Sequence, residues 1–182
     1  MPFKKGPWTV NETILRFKSS FVEVNEDKVI SPQGEESTFT LVRLKPGVSI
    51  LPIDDEEFVY LVREYRYAIE QYCVEAVSGA IDENESDEDA ARRELREELG
   101  IVAQELIDLG IVNPLTSQLH APARLFVAKG LTFVEAQPDP FEIIEMVKMK
   151  LSEAVKLVID SSITHAPSSV LILKVNQWLK KC

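Results

Sequence analysis

The stretch from Gly79 to Ile101, GAIDENESDEDAARRELREELGI, constrains this chain more than any other. It sets nine acids against three arginines, a local charge of −6 within a chain whose net charge is −10. The acids are ordered. Ser86 followed by Asp89 reads as a helix N-cap with its capping-box partner, and Asp87, Glu88 and Asp89 fill the first turn, where the helix dipole favours anions. Gly100 stands where a left-handed C-terminal cap is expected. Together these signals predict a helix of roughly three turns, about Asp87 to Leu99. Glu94, Glu97 and Glu98 then fall at i, i+3 and i+4 on one face of its last turns. They repel one another and oppose the negative end of the dipole, each by roughly a few tenths of a kcal/mol or more. That face calls for something positive.

The rest of the composition bounds the answer. A chain of 182 residues suits one domain, with room for a small annex. Its 45% hydrophobic and 27% charged residues fit a soluble globular protein with a real core. Net charge −10 argues against nucleic acid or an anionic membrane as the main partner, since both reward basic surfaces. It does not argue against a phosphate-bearing small molecule delivered with a divalent cation. Cys73 and Cys182 make no disulfide framework. No signal-peptide core or membrane-length apolar run is visible, so a cytoplasmic protein is expected.

Along the chain, Trp8 to Ile30 alternates loosely, with a break expected at Asn25-Glu26-Asp27 between two strands. Ser31 to Gly34 reads as a turn and Ser37 to Leu44 as another strand, giving a small antiparallel unit over residues 1–45. Residues 46–182 read as the main domain. Its expected strands are Val48–Ile53, Phe58–Arg66, Tyr72–Val77, Glu105–Val112, Ala123–Leu131 and Glu142–Leu151. Ser152 is placed to cap a short helix. Ser168 or Ser169 is placed to cap a last one with Leu171, Val175, Trp178 and Leu179 on its apolar stripe. Interleaved strands with about three helices imply an α/β (α+β) sandwich.

Clustered carboxylates are hard oxygen donors, suited to Mg²⁺ or Mn²⁺. With only His120 and His165 in the chain, zinc is not indicated. A charge-rich helix is most often a solvated face, but this one follows a long fixed pattern. Gly79, Glu85, Arg93, Glu94, Leu95, Glu97, Glu98, Gly100 and Ile101 match every fixed position of G-x5-E-x7-R-E-U-x-E-E-x-G-U, where U is a bulky aliphatic residue. The segment resembles the Nudix box. The resemblance implies a loop–helix–loop in an α/β/α sandwich with a mixed sheet, which binds Mg²⁺ (or Mn²⁺) and hydrolyses a nucleoside diphosphate linked to another group. It implies that Glu94, Glu97 and Glu98 hold the metal, with the backbone carbonyl of Ser78, and that Glu97 or Glu98 serves in catalysis. Arg93 and Glu85 correspond to a structural ion pair.

The flanks resemble the ADP-ribose and nucleoside-diphosphate-sugar pyrophosphatases. VYLVREYRYAIEQYCVEAVSGAID carries Arg66 at the position of an arginine that faces substrate phosphate, and Glu75 four residues before the box. Pro114, in VNPLTSQLHAPARLF, matches the subgroup's loop proline. Glu142, or else Glu145, matches loop acids that act as general base in related enzymes. Trp8 and Phe39 match N-terminal aromatics that stack on adenine, although core or dimer-interface roles explain them as simply. His165 reads as a loop residue and Cys73 as a buried small one. Four positions depart from the subgroup: Glu64 replaces a glutamine, Val77-Ser78 replaces Pro-Ala, and Leu115 replaces a glycine. The implied reaction splits ADP-ribose or a related sugar nucleotide into a nucleoside monophosphate and a sugar phosphate, in a homodimer built through the N-terminal unit. The alternatives are another sugar nucleotide or a dinucleotide polyphosphate as substrate, or a non-catalytic nucleotide sensor.

Overall fold

The computed structural model describes residues 1–138 and 143–180. The chain forms two compact units, Met1–Pro46 with Asn113–Pro122, and Gly47–Val112 with the remainder from Ala123.

The first unit is a five-stranded sheet in the order β1 (Phe3–Lys5), β2 (Trp8–Lys18), β3 (Val22–Ile30), β4 (Glu36–Leu44) and β10 (Leu119–His120). All neighbours are antiparallel except β10, which runs parallel to β4. The expected break at Asn25-Glu26-Asp27 is not there. These residues lie inside β3, and the chain turns instead at residues 19–21, where Ser19 Oγ accepts from the backbone N–H groups of Phe21 and Val22. Strand partners make the polar run tolerable. Asp27 is only 3% exposed and accepts from Lys5 Nζ at 3.0 Å and Thr13 Oγ1 at 2.6 Å, while Glu26 pairs with Arg16 at 2.7 Å.

In the second unit, β5 (Gly47–Pro52) sits between β8 (Val77–Ala80) and β11 (Ala123–Phe133), and β9 (Ile101–Val112) closes the four-stranded sheet on the far side of β11. The β5–β11 pair is parallel and the others antiparallel, so the sheet is mixed. A second, antiparallel sheet orders β12 (Glu145–Lys150), β6 (Phe58–Arg66) and β7 (Gln71–Glu75). The run from Tyr72 to Val77 is thus two strands in different sheets, broken at Ala76.

Strand alternation divides the core into two layers. Val48, Ile50, Tyr60 and Val62 pack with Ala90, Ala91, Leu95 and Leu99 of α1 (Asp87–Leu99). Leu51, Ile53, Val59 and Leu61 pack on the other side with Ala154 of α2 (Leu151–Ile159) and Leu171, Ile172 and Val175 of α3 (Ala166–Leu179). The architecture is an α/β/α sandwich. Two of the expected caps are not caps. α2 starts from Lys150 with no side-chain bond, and α3 starts at Ala166 with Pro167 in its first turn. Ser168 falls inside that turn, and its hydroxyl accepts from the backbone N–H of Ala76 at 2.9 Å. Among the described residues no helix is long and apolar enough to cross a membrane.

Candidate active site

The helix α1 begins and ends where its capping residues place it. Ser86 Oγ accepts from Asp89 N–H at 3.1 Å and lies 2.7 Å from the Asp89 carboxylate. Gly100 takes the left-handed conformation, φ +60°, and its N–H reaches Arg96 O. Residue 100 also has no room for a side chain, since a Cβ there would stand 2.2 Å from the carbonyl oxygen of Val134. The N–H of Val134 in turn donates to Gly100 O, and that of Gln137 to Glu97 O, so the segment after β11 is laced to the end of the helix.

With Leu95 and Leu99 turned into the core, the helix presents Glu94, Glu97 and Glu98 at its other edge. Arg93 supplies positive charge there. Its Nη1 donates to Glu94 Oε1 at 2.6 Å and Glu97 Oε2 at 3.1 Å. Its Nε and Nη2 form a fork on Glu85 at 2.9 and 3.0 Å, and Nη2 also reaches Ala80 O. One guanidinium therefore ties the helix to the loop before it and to the end of β8. Glu85 is held below the usual carboxylate range, chiefly by Arg93 and against the effect of burial. The same contacts, Glu85 foremost, raise the pKa of Arg93, so the pair stays ionised.

The glycine that opens the segment is a steric requirement. A Cβ on Gly79 would stand 1.9 Å from Glu94 Oε1, so the Glu94 carboxylate lies directly against this stretch of β8, next to Ser78. Glu98 is 9% exposed, whereas the Glu97 side chain is 41% exposed. Among the described residues no group of three acid, histidine or cysteine side chains stands ready-made to enclose a cation, and Glu94 and Glu97 are turned towards Arg93. The donors themselves fit a hard divalent ion: three carboxylates on one short stretch of helix, one of them pressed onto an adjacent backbone.

Arg66, at the end of β6, follows Tyr60, Val62 and Glu64 on the strand face that α1 covers. Its Nε and Nη2 grip Glu75 at 3.2 and 2.7 Å, and its Nη1 lies 2.7 Å from Glu64 Oε2. Burial disfavours the charge, but Glu75, Glu64 and Glu98 outweigh it and hold the guanidinium firmly protonated. Glu75 is 5% exposed and has, besides Arg66, a second partner in His165 Nδ1 at 3.4 Å. His165 is a loop residue, as expected, but its ring is engaged. It precedes α3, shares Nδ1 with Ser168 Oγ at 2.8 Å, and burial lowers its pKa, with Arg66 reinforcing and Glu75 opposing the shift. The residue types were visible in the sequence; that Glu64, Glu75 and His165 form one network around Arg66 was not, because three separate elements build it.

The remaining expected site residues are distributed as follows. Trp8 and Phe39 meet in the first unit edge to face, centroids 4.9 Å apart at 87°. No flat base fits between rings so arranged, although one can stack on a ring's open face. Both line a small pocket of about 170 Å³ with Val10, Val29 and Leu41. Pro114 is exposed in the first unit's loop. Glu145 lies on β12 in an exposed ion pair with Arg63 at 3.0 Å. Glu142 lies outside the described residues.

The NUDIX domain family model matches residues 43–159, well over half of the chain. The chain belongs to the Nudix family. Among curated relatives, the ADP compounds hydrolase NudE of Escherichia coli is 31% identical over 142 residues, 76% of each chain. The ADP-ribose pyrophosphatase of Bacillus subtilis is 26% identical over 158 residues, 86% of this chain and 85% of its own. A crystal structure of an ADP compounds hydrolase superposes with a TM-score of 0.85 at 23% identity, covering 98% of this Nudix protein and 97% of the other. That match shows the shared fold.

Proposed function

We propose that this Nudix enzyme hydrolyses the diphosphate linkage of ADP-ribose or a closely related nucleoside diphosphate sugar, releasing a nucleoside monophosphate and a sugar phosphate. The observation that carries the reading is the intact acidic edge of α1, with Glu94 seated on Gly79 and Glu97 and Glu98 beside it. The likeness to the B. subtilis ADP-ribose pyrophosphatase and the E. coli ADP compounds hydrolase supports the substrate class.

Glu94, Glu97, Glu98 and the backbone at Ser78 would hold the metal, for which Mg²⁺ is our choice and Mn²⁺ the substitute. A divalent ion in such a site offsets diphosphate charge and lowers the pKa of water. The chain's own residues do the rest. Arg93 keeps the helix edge and the preceding loop in fixed relation, and Glu94 and Glu97 would turn from it to take up the ion. Arg66 contributes a cation on the same side of the sheet as Glu98. A proton leaving the attacking water needs an acceptor within hydrogen-bond reach; we assign that role to Glu97 or Glu98, or to Glu142 from outside the helix. We further propose a cytoplasmic homodimer joined through the N-terminal unit, with Trp8, Phe39 and Pro114 contributing to substrate binding. A monomer of about 20 kDa on gel filtration would count against the dimer.

The likeness to a hydrolase of ADP compounds favours, as second reading, other ADP-containing diphosphates as substrates. A panel of ADP-ribose, GDP-mannose, UDP-glucose, NADH and diadenosine polyphosphates with Mg²⁺ or Mn²⁺ separates the two by the phosphomonoester released. Preference for ADP-ribose supports the first reading and preference for NADH or the dinucleotides the second. Equal slow cleavage of everything contradicts both.

A further inference from the structure

Arg66 already has a carboxylate oxygen close to each of its three guanidinium nitrogens. The two carboxylates holding it are not equivalent. Glu75 is deeply buried, grips by a two-point fork, and is braced by His165 from behind. Glu64 is more exposed, at 19% of its side chain against 7% for Glu75, and stands two residues earlier on the same strand face, with its Oε2 2.7 Å from Arg66 Nη1. Glu75 is thus the more deeply buried partner and Glu64 the one nearer to solvent and to an incoming ligand. Counting formal charges, Arg66 with Glu64 and Glu75 is a net anion, and Glu98 adds to the negative potential around the guanidinium.

We infer that Glu64 is a specificity-determining residue that positions Arg66 and makes the site discriminate against phosphate charge. Resting on the proposed diphosphatase reading, the argument is electrostatic. A ligand's phosphate oxygens gain Nη1 of Arg66 only by drawing it from Glu64, and they must approach the Glu64 carboxylate to do so. That repulsion grows in proportion to the ligand's charge. A diphosphate esterified at both ends, as in a nucleotide sugar, carries two charges. A nucleoside diphosphate with a free terminal phosphate carries about one more near neutral pH, since the second ionisation of a phosphomonoester lies near 6. Glu64 therefore selects diphosphates capped at both ends over those with a free terminal phosphate.

The test is calorimetric binding of the α,β-methylene analogues of ADP-ribose and of ADP, with Mg²⁺, to wild type, Glu64→Gln, Arg66→Gln and the double variant. Glu64→Gln removes one charge while preserving size. It should tighten the ADP analogue by roughly fivefold or more, and the ADP-ribose analogue by a smaller factor. In the Arg66→Gln background the gain from Glu64→Gln should shrink. A general loosening of structure would not produce a gain that grows with ligand charge. Equal gains for the two ligands, no gain, or a gain that persists in full without Arg66 would overturn the inference. Hydrolysis of ADP-ribose by wild type is measured in parallel. Its absence would count against the substrate reading, whereas the ADP analogue requires only that a diphosphate bind and so reads Glu64 separately.

Discussion

Gly79 and Glu94 meet so closely that a single methyl group would separate them: a Cβ on residue 79 would lie 1.9 Å from Glu94 Oε1 and 2.1 Å from Cδ. The obstruction is the tip of a flexible side chain, so the protein can relieve it by moving the carboxylate. Gly79→Ala should therefore cost little stability, below about 1 kcal/mol, while kcat for ADP-ribose falls by about 10- to 100-fold, the effect expected on the proposed role of Glu94 in holding the metal when its carboxylate is displaced by an ångström. Paired urea unfolding and turnover measurements check this. Unchanged turnover would mean that the position of Glu94 does not matter.

Gly100 supplies the contrast. There φ is +60° and the obstructing atom is the backbone oxygen of Val134, which is tied to the helix end by its own neighbouring N–H. Gly100→Ala adds the left-handed strain of about 1–3 kcal/mol to that clash. Its urea midpoint should fall well below that of Gly79→Ala. A midpoint equal to wild type would contradict the tight junction between α1 and the segment after β11.

Ser168 presents a buried hydroxyl to the N–H of Ala76, just before the acidic segment. Ser168→Ala leaves that N–H without its partner, at a cost of about 1–3 kcal/mol. Hydrogen exchange at Ala76 should accelerate in the variant. Unaltered protection there would show that the contact contributes nothing.

The Glu85–Arg93 fork predicts part of the acid sensitivity. A carboxylate whose folded pKa is lowered stabilises the fold above its unfolded value, near 4.5 for glutamate, and that contribution is lost as pH falls through the lower folded value. Glu85→Gln lacks this contribution at every pH. Its urea midpoint should lie below wild type at pH 6, and the two curves should converge as the pH approaches 3. Parallel curves across that range would remove Glu85 from the account.

The sequence made α1 legible because its signals are local. Ser86, Asp89 and Gly100 fix both ends within one turn each, and the structure places the helix at Asp87–Leu99 as those residues require. Signals read locally but used at a distance misled. Asn25, Glu26 and Asp27 read as a break, yet lie in a strand because Lys5, Thr13 and Arg16 pair with two of them across the sheet. Ser168 reads as a cap, yet its hydroxyl serves Ala76, 92 residues away. Likewise Arg66 reads as a ready phosphate ligand, and nothing in its neighbourhood along the chain reveals that Glu64 and Glu75 both hold it. The positive partner called for by the three glutamates is in part Arg93 itself, which faces Glu94 and Glu97 from within the same helix.

The central claim is that the acids of α1 run a diphosphate hydrolysis. The most direct test is the rate at which AMP is released from ADP-ribose in Mg²⁺ by wild type, Glu97→Gln and Glu98→Gln, each shown by circular dichroism to be folded. The account predicts steady turnover by wild type and a loss of roughly a hundredfold or more in both variants. Wild-type-like turnover in both would contradict it.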